Sequence, residues 1–200
     1  PIPRTLHMSM GGVRDLSIIN TPPADRRAIR TFVLKFSPSE IREAILREKA
    51  RGGQTFFVHN RVQSIGAMER FLRELLPEVN IGTGHGQMHD HVLENVISSF
   101  IDQRLDVLLC TTIIESGLDI PNANTIIVNR TDTFGLSQLY QMRGRVGRSS
   151  ERAYAYLLVP AKRQVTKDAQ RRLEVLQQFS DLGAGFQIAS HDLEIRGAGH

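Results

Sequence analysis

Three arginines, Arg143, Arg145 and Arg148, punctuate the run Gln138-Leu139-Tyr140-Gln141-Met142-Arg143-Gly144-Arg145-Val146-Gly147-Arg148, with Gly144 and Gly147 between them. That pattern has no place on the buried stripe of an amphipathic helix. Guanidinium groups pair with phosphate oxygens through parallel hydrogen bonds, and glycines let a backbone approach a neighbour without a Cβ clash. The run therefore predicts a surface built to meet concentrated negative charge; the bland alternative is a solvated basic turn. A second run, Thr111-Thr112-Ile113-Ile114-Glu115-Ser116-Gly117-Leu118-Asp119-Ile120-Pro121, directly follows the apolar stretch Val107-Leu108-Leu109. Ligands of open parallel sheets sit beyond the carboxyl ends of the strands, so hydroxyls and a carboxylate placed there lie at the functional edge. Taken alone, Gly117 only ends a turn and Asp119 only caps a loop; the two runs together carry the functional reading.

The elements that must position these residues alternate. Leu16 to Ile19 and Ile29 to Phe36 read as two strands around the turn Thr21-Pro22-Pro23. Ser37-Pro38-Ser39-Glu40 has capping-box spacing with proline at the first helical position, and Ile41, Ala44 and Ile45 share one face of a helix that ends at Gly52-Gly53. A strand over Gln54 to Asn60 carries the continuous apolar run Phe56-Phe57-Val58, expected of a strand covered on both faces. Val62, Ile65, Met68, Leu72, Leu75 and Leu76 then mark an amphipathic helix running to Pro77. The sequence further predicts strands near Val79 to Thr83, Asp106 to Thr111, Thr125 to Asn129 and Ala153 to Val159. It predicts a helix whose core face is Val92, Val96, Ile97 and Phe100, and another from Leu136. Strands alternating with helices imply right-handed βαβ units, hence an α/β fold with an open, largely parallel sheet and helices on both faces. After Pro160 the pattern changes: Thr166 to Asp181 is a polar, basic helix with Ala169, Leu173, Leu176 and Phe179 along a stripe. Gly183-Ala184-Gly185 breaks it, and Phe186 to Arg196 returns as the other arm of a helical hairpin. The expected organisation is a core over residues 1–160 and a C-terminal hairpin over 161–200.

Composition narrows the setting. Two hundred residues, 40% of them hydrophobic, suit one α/β core. The net charge of +4, from 25 basic against 21 acidic residues, is too mild to identify nucleic acid as a partner. A single cysteine, Cys110, excludes an internal disulfide and a multi-cysteine zinc site. No apolar run approaches the ~18 residues of a membrane span, so a cytoplasmic protein without a membrane partner is expected. The chain opens at Pro1 without methionine and stops inside the glycine-rich phrase Gly197-Ala198-Gly199-His200, which reads as an excised piece. Gly82-Thr83-Gly84-His85-Gly86 lacks the spacing of a dinucleotide fingerprint. His85, His89 and His91 lack a convincingly spaced carboxylate or cysteine, so no metal is expected. Cys110, at the end of an apolar strand, reads as packing.

The two functional runs resemble motifs V and VI of superfamily 2 helicases and translocases, whose two RecA-like lobes clamp ATP and walk along nucleic acid. The resemblance covers the whole chain: Pro1 to Thr5 is similar to the tail of motif III, Phe57 to Asn60 to motif IV, and His85-Gly86-Gln87-Met88 to the nucleic-acid-contacting loop after the third strand. Thr166 to Gly199, with Ala169-Gln170-Arg171-Arg172-Leu173 and Asp192-Leu193-Glu194-Ile195-Arg196-Gly197, resembles the translocation motif of the RecG-like branch. Arg14 to Ile19 with Thr21-Pro22-Pro23, and Ala198 where RecG usually has proline, are more similar to the transcription-repair coupling factors than to RecG; His200 departs from both, where Glu or Asn is usual.

That resemblance implies a second RecA-like lobe followed by a translocation hairpin. Arg145 and Arg148 would be arginine fingers reaching the ATP γ-phosphate, Gln141 would orient them, and Gly117 and Asp119 would face the nucleotide. Asn60, Gly86, Thr111 and Thr112 would touch backbone phosphates of double-stranded DNA, and Arg172 and Arg196 would couple ATP-driven closure to movement. The chain has no G-x-x-x-x-G-K-[ST] sequence and no Walker B acidic pair. ATP and Mg²⁺ would accordingly be held mainly by the first lobe, and the piece alone is expected not to hydrolyse ATP. RNA polymerase and excision-repair proteins are the partners implied for the intact protein. The alternatives are a RecG-like fork-remodelling lobe and a non-catalytic nucleic-acid-binding module.

Overall fold

The structure is a computed structural model that describes residues 29–111, 120–147, 151–160 and 165–178. Six strands, β1 (Arg30–Lys35), β2 (Gln54–Val58), β3 (Ile81–Gly84), β4 (Val107–Cys110), β5 (Ala123–Val128) and β6 (Tyr154–Val159), form one sheet in the order β1-β6-β5-β2-β4-β3. Every neighbouring pair is parallel. The helices are α1 (Pro38–Ala50), α2 (Val62–Leu75), α3 (Asp90–Ile101), α4 (Leu136–Arg143) and α5 (Lys167–Gln178), with a 3-10 turn at Thr131–Thr133. The RecA-like α/β fold expected from the sequence is the fold found.

The period-two alternation of each strand divides its side chains between two cores. Phe57, Val107, Leu109, Ile127 and Leu158 face α1 and α2 through Ile41, Ile45, Ile65 and Leu72. Phe56, Val58, Leu108, Cys110, Ile126, Val128 and Leu157 face the opposite layer through Phe100 of α3, Leu136 and Leu139 of α4, and Leu173 of α5. Every residue of the central strands β2, β4 and β5 is buried, and their carboxyl halves are continuous apolar runs, while the buried polar residues Gln54, Thr55, Asn124 and Thr125 stand at the starts of β2 and β5.

Local signals set the helix ends. Ser37 Oγ accepts the Glu40 N–H at 3.4 Å, and Pro38 takes the first helical position of α1. Helix α1 stops where Gly52 turns into the left-handed region at φ 85°. At the start of α5, Thr166 Oγ1 accepts the Ala169 N–H at 3.2 Å. In β3, Gly82 has no room for a Cβ because Leu105 and Val96 of α3 press against its backbone; its neighbourhood is glycine-rich for packing.

Three expectations need correction. The strand placed near Val79 to Thr83 lies at Ile81–Gly84. Val92, assigned to the core face of α3, is 36% exposed, while Phe100 is fully buried. Helix α3 covers the sheet beside the edge strand β3, where only part of a helical stripe finds a surface to bury against. Arg143, grouped with two arginines meant for solvent or phosphate, is fully buried at the end of α4. The strand at Leu16 to Ile19 and the return arm Phe186 to Arg196 lie outside the described residues.

The amino-terminal edge of the sheet carries a buried charge. Glu48, 2% exposed, accepts Thr125 Oγ1 at 2.5 Å and Arg51 Nε and Nη2 at 2.6 and 2.7 Å. Arg51 Nη2 also donates to the Arg152 carbonyl, and its guanidinium lies 5.1 Å from the centroid of the Tyr154 ring. One carboxylate thereby ties α1 to the starts of β5 and β6.

Candidate nucleotide and nucleic-acid interface

Because all six strands run the same way, their carboxyl ends form one edge, and the loops after β2, β3, β4 and β5 present His59-Asn60, His85-Gly86, Thr111 and Asn129 there. The chain leaving β2 enters α2 on one face, whereas the chain leaving its neighbour β5 enters α4 on the other. A crevice opens at such a switch point between diverging connections.

His59 spans that point. Its backbone N–H donates to Cys110 O at 2.8 Å and Asn129 N–H donates to Val58 O at 2.9 Å, so the ladders of β4, β2 and β5 continue into the loops. Asn129 Nδ2 lies 3.0 Å from His59 Nδ1, and Ser64 Oγ lies 2.7 Å from Nε2. With the amide donating, Nδ1 accepts and the ring proton sits on Nε2, directed to Ser64; this tautomer follows from the hydrogen-bond network. Burial, helped by the positive charge of Arg61, pushes the imidazole pKa below its ordinary 6.5. The folded protein thus prefers neutral His59. Its contribution to stability is complete above about pH 6.5 and is lost as pH falls through the lowered folded-state value. Urea unfolding of the chain is expected to show stability declining below about pH 6.5, with a flatter slope in His59→Gln. Equal slopes would assign the decline to other groups.

Arg145 lies on the α3–α5 side of the sheet, in a recess lined by Phe56, Val58, Cys110, Thr111, Ile126 and Met142. The turn that carries it is closely determined. Gly144 N–H bonds Tyr140 O at 2.9 Å, Arg145 N–H bonds Met142 O at 3.1 Å and Val146 N–H bonds Arg143 O at 3.3 Å. Gly147 follows at φ 78°, where a β-carbon is strained and Ile29 and Ala153 already sit 3.3 and 3.4 Å from where it would be. Cys110 is buried in the floor of the recess, its Sγ 3.6 Å from Phe57 O, and burial pushes its thiol pKa up. It packs.

Of the other residues singled out, Gln141 is exposed on α4 and Asn60 is exposed after β2. Gly86 is exposed at the tip of a turn after β3, where Gln87 N–H donates to His85 Nδ1 at 3.3 Å and Met88 N–H to His85 O at 3.1 Å. Thr111 is buried in the recess beside Arg145. Thr112, Gly117, Asp119, Arg148 and Arg196 lie outside the described residues. Arg172 packs against the 3-10 turn, its Nη2 donating to Asp132 O at 3.3 Å, while the Asp132 carboxylate accepts from Arg130 at 3.2 and 3.3 Å. Arg130 adopts a left-handed φ of 52° there. Among the described residues no three histidine, cysteine or carboxylate side chains gather as metal ligands, and no helix is long and apolar enough to cross a membrane. His59 with Ser64 and Asn129, and the buried Arg143, escaped sequence reasoning; the one available signal was polar residues standing directly at the ends of apolar strands.

Residues 37–150 match the family described as helicase conserved C-terminal domain. The chain belongs to that family. Its helicase lobe is 70% identical over 200 residues to the transcription-repair-coupling factor of Myxococcus xanthus, and 58% identical over 199 residues to that of Escherichia coli. The factor of Staphylococcus aureus is 54% identical over 200 residues. These matches bear out the resemblance to transcription-repair coupling factors. They cover 100% of this chain and 17% of each relative, so the lobe spans about a sixth of the length of the curated relatives it matches. Among solved structures, RecG bound to a three-way DNA junction superposes with a TM-score of 0.75 at 33% identity, over 94% of this chain and 25% of that one. The C-terminal domain of the DEAD-box protein Dbp5 shares the fold, with a TM-score of 0.55 at 17% identity over 76% of this chain and 85% of that one.

Proposed function

We propose that this lobe completes, from across a cleft, the ATP site of a double-stranded DNA translocase, and that the intact protein works in transcription-coupled repair, displacing stalled RNA polymerase and recruiting excision-repair proteins. The observation that carries the reading is Arg145, presented at the carboxyl edge of the sheet in a recess shared with Thr111. A guanidinium there suits a phosphate arriving from outside the lobe, because charge in phosphoryl transfer spreads over oxygens that a positioned cation stabilises. Arg148 is assigned to the same task, Gln141 to orienting the pair, and Gly117 and Asp119 to the nucleotide. ATP with Mg²⁺ would be held mainly by the first lobe, since this sequence has no phosphate-cradling loop.

The exposed Asn60 and Gly86, with Thr111 and Thr112, form the proposed DNA track; amides, hydroxyls and main-chain N–H groups hold phosphates without reading bases. Residues 161–200 are proposed as the coupling hairpin. Arg172 supports this through its bond to Asp132 O, and Ala169 and Leu173 are buried at 2% and 4% exposure. Movement of the hairpin is thereby linked to the layer that holds α4. A RecG-like fork-remodelling motor is the second reading, favoured by the RecG superposition; the higher identity to coupling factors, 70% against 33%, ranks it behind.

The test is ATP-dependent displacement of a triplex-forming strand from duplex DNA by the intact protein. Wild type is expected to displace the strand. Arg172→Ala and Arg196→Ala are expected to keep ATPase within about twofold while displacement falls by about tenfold or more. Loss of ATPase and displacement together would refute a coupling role, and no displacement by wild type would refute the translocase reading.

A further inference from the structure

Arg143 is the last residue of α4 and has no exposed surface at all. Its Nη1 donates to Thr31 Oγ1 of β1 at 3.3 Å, and its guanidinium carbon lies 5.3 Å from the centroid of the Tyr140 ring. Burying a guanidinium costs several kcal/mol before its contacts are counted, and an apolar side chain of similar volume usually fills such a position as well or better. A charge kept there has to supply what an apolar side chain lacks, namely direction. Directional bonds fix the rotation of a helix end, whereas dispersion contacts tolerate sliding.

What that rotation controls is two residues away. In the turn after α4, Arg143 and Val146 are both fully buried, and Arg145 between them emerges into the recess beside Thr111. Val146 packs in the core that holds Ile29 and Ala153, while Arg143 reaches β1. The turn is therefore pinned on both sides of Arg145.

We propose that Arg143 is a positioning residue for catalysis, clamping the C-terminal end of α4 to Thr31 so that Arg145 is held in a fixed orientation toward a phosphate bound by the other lobe. The proposal rests on the assignment of Arg145 as a finger. Misplacing a catalytic group by about 1 Å costs on the order of 100-fold in rate, whereas binding of nucleotide to the first lobe is untouched. The signature is a fall in kcat without a rise in KM for ATP, as expected for a contact exploited only in the transition state.

The test uses DNA-stimulated ATPase of the intact protein. Arg143→Gln is expected to lower kcat by about 100-fold with KM for ATP within about twofold, and Arg143→Lys to rescue little, because a lysine lacks the planar fork. Should the Arg143 variants fail to fold, Thr31 gives the same answer from the other side. Thr31→Val is expected to lower kcat about tenfold at unchanged KM, and Thr31→Ser, which keeps the acceptor, to restore it. A thermal midpoint that falls in Thr31→Val while kcat per folded molecule stays at wild type would make the contact structural only and overturn the proposal. Arg145→Ala, run alongside, separates the two ideas. If Arg145→Ala turns over normally, the finger assignment fails; if it is inactive while Thr31→Val and Arg143→Gln are normal, only the positioning role fails.

Discussion

Arg145→Ala in the intact protein is expected to reduce DNA-stimulated ATP turnover by about 10³- to 10⁵-fold, the range a supplied arginine finger contributes to phosphoryl transfer. Nucleotide affinity should change little, because the proposed function gives the phosphate cradle and the metal ligands to the first lobe, this sequence having no G-x-x-x-x-G-K-[ST] run. Arg145→Lys tests the geometry within the same experiment. A lysine keeps the charge as a point and loses the paired donors, so recovery is expected to be slight. Steady-state kcat and KM for ATP at saturating duplex DNA are the measurements. The recess explains why the effect should be large: Phe56, Val58, Ile126 and Met142 line it with apolar surface, and a cation acting there is less screened than one in open water. Turnover in Arg145→Ala within a few-fold of wild type would remove the residue from the chemistry.

The second large effect is on folding and lies at the opposite edge of the sheet. Glu48→Ala is expected to destabilise the chain by about 1–3 kcal/mol, the cost typical of leaving a buried polar partner unsatisfied, because Glu48 is buried while Arg51 reaches solvent and can be rehydrated. Three donors converge on that carboxylate, two from Arg51 and one from Thr125. Deletion would leave the Thr125 hydroxyl buried without its acceptor and Arg51 without its anion, while also opening space at the end of α1. Glu48→Gln, which keeps the shape and one acceptor, should lose less. Urea unfolding gives the comparison, and a midpoint in Glu48→Ala equal to wild type would show that the group adds nothing net. Glu48 and Arg51 fasten the strand starts, at the edge opposite the proposed ligand-facing loops.

The fold was legible because each central strand carries an uninterrupted apolar stretch, Phe56-Phe57-Val58 in β2, Val107-Leu108-Leu109 in β4 and Ile126-Ile127-Val128 in β5. Phe56-Phe57-Val58 and Val107-Leu108-Leu109 are buried on both faces, and a strand in that position can be written only one way. Helix boundaries followed from Ser37, Pro38 and Gly52, each acting through its own backbone chemistry. Reading failed where a side chain's fate depends on a partner distant in sequence. Val92 satisfies the periodicity of a core face, yet α3 lies beside the last strand of the sheet and that part of its stripe has little to cover it. Arg143 shares a composition with Arg145 and an opposite environment, buried at the end of α4 against Thr31 of β1, a strand distant in sequence. His59 belongs to the same class through Asn129, which reaches it only once β2 and β5 are neighbours, whereas Ser64 is a local partner five residues on. Residue type and spacing singled out the arginine run; that Arg143 is buried while Arg145 borders a recess is settled only by the tertiary structure.

The most direct test of the account is a structure of the intact protein bound to duplex DNA and a transition-state analogue of ATP hydrolysis. The account predicts the Arg145 and Arg148 guanidinium groups at about 2.7–2.9 Å from the analogue's γ-phosphate surrogate, across a cleft from the lobe that holds the remaining phosphates. A closed, DNA-bound complex in which both arginines face solvent or DNA, and only the first lobe touches the nucleotide, would contradict it.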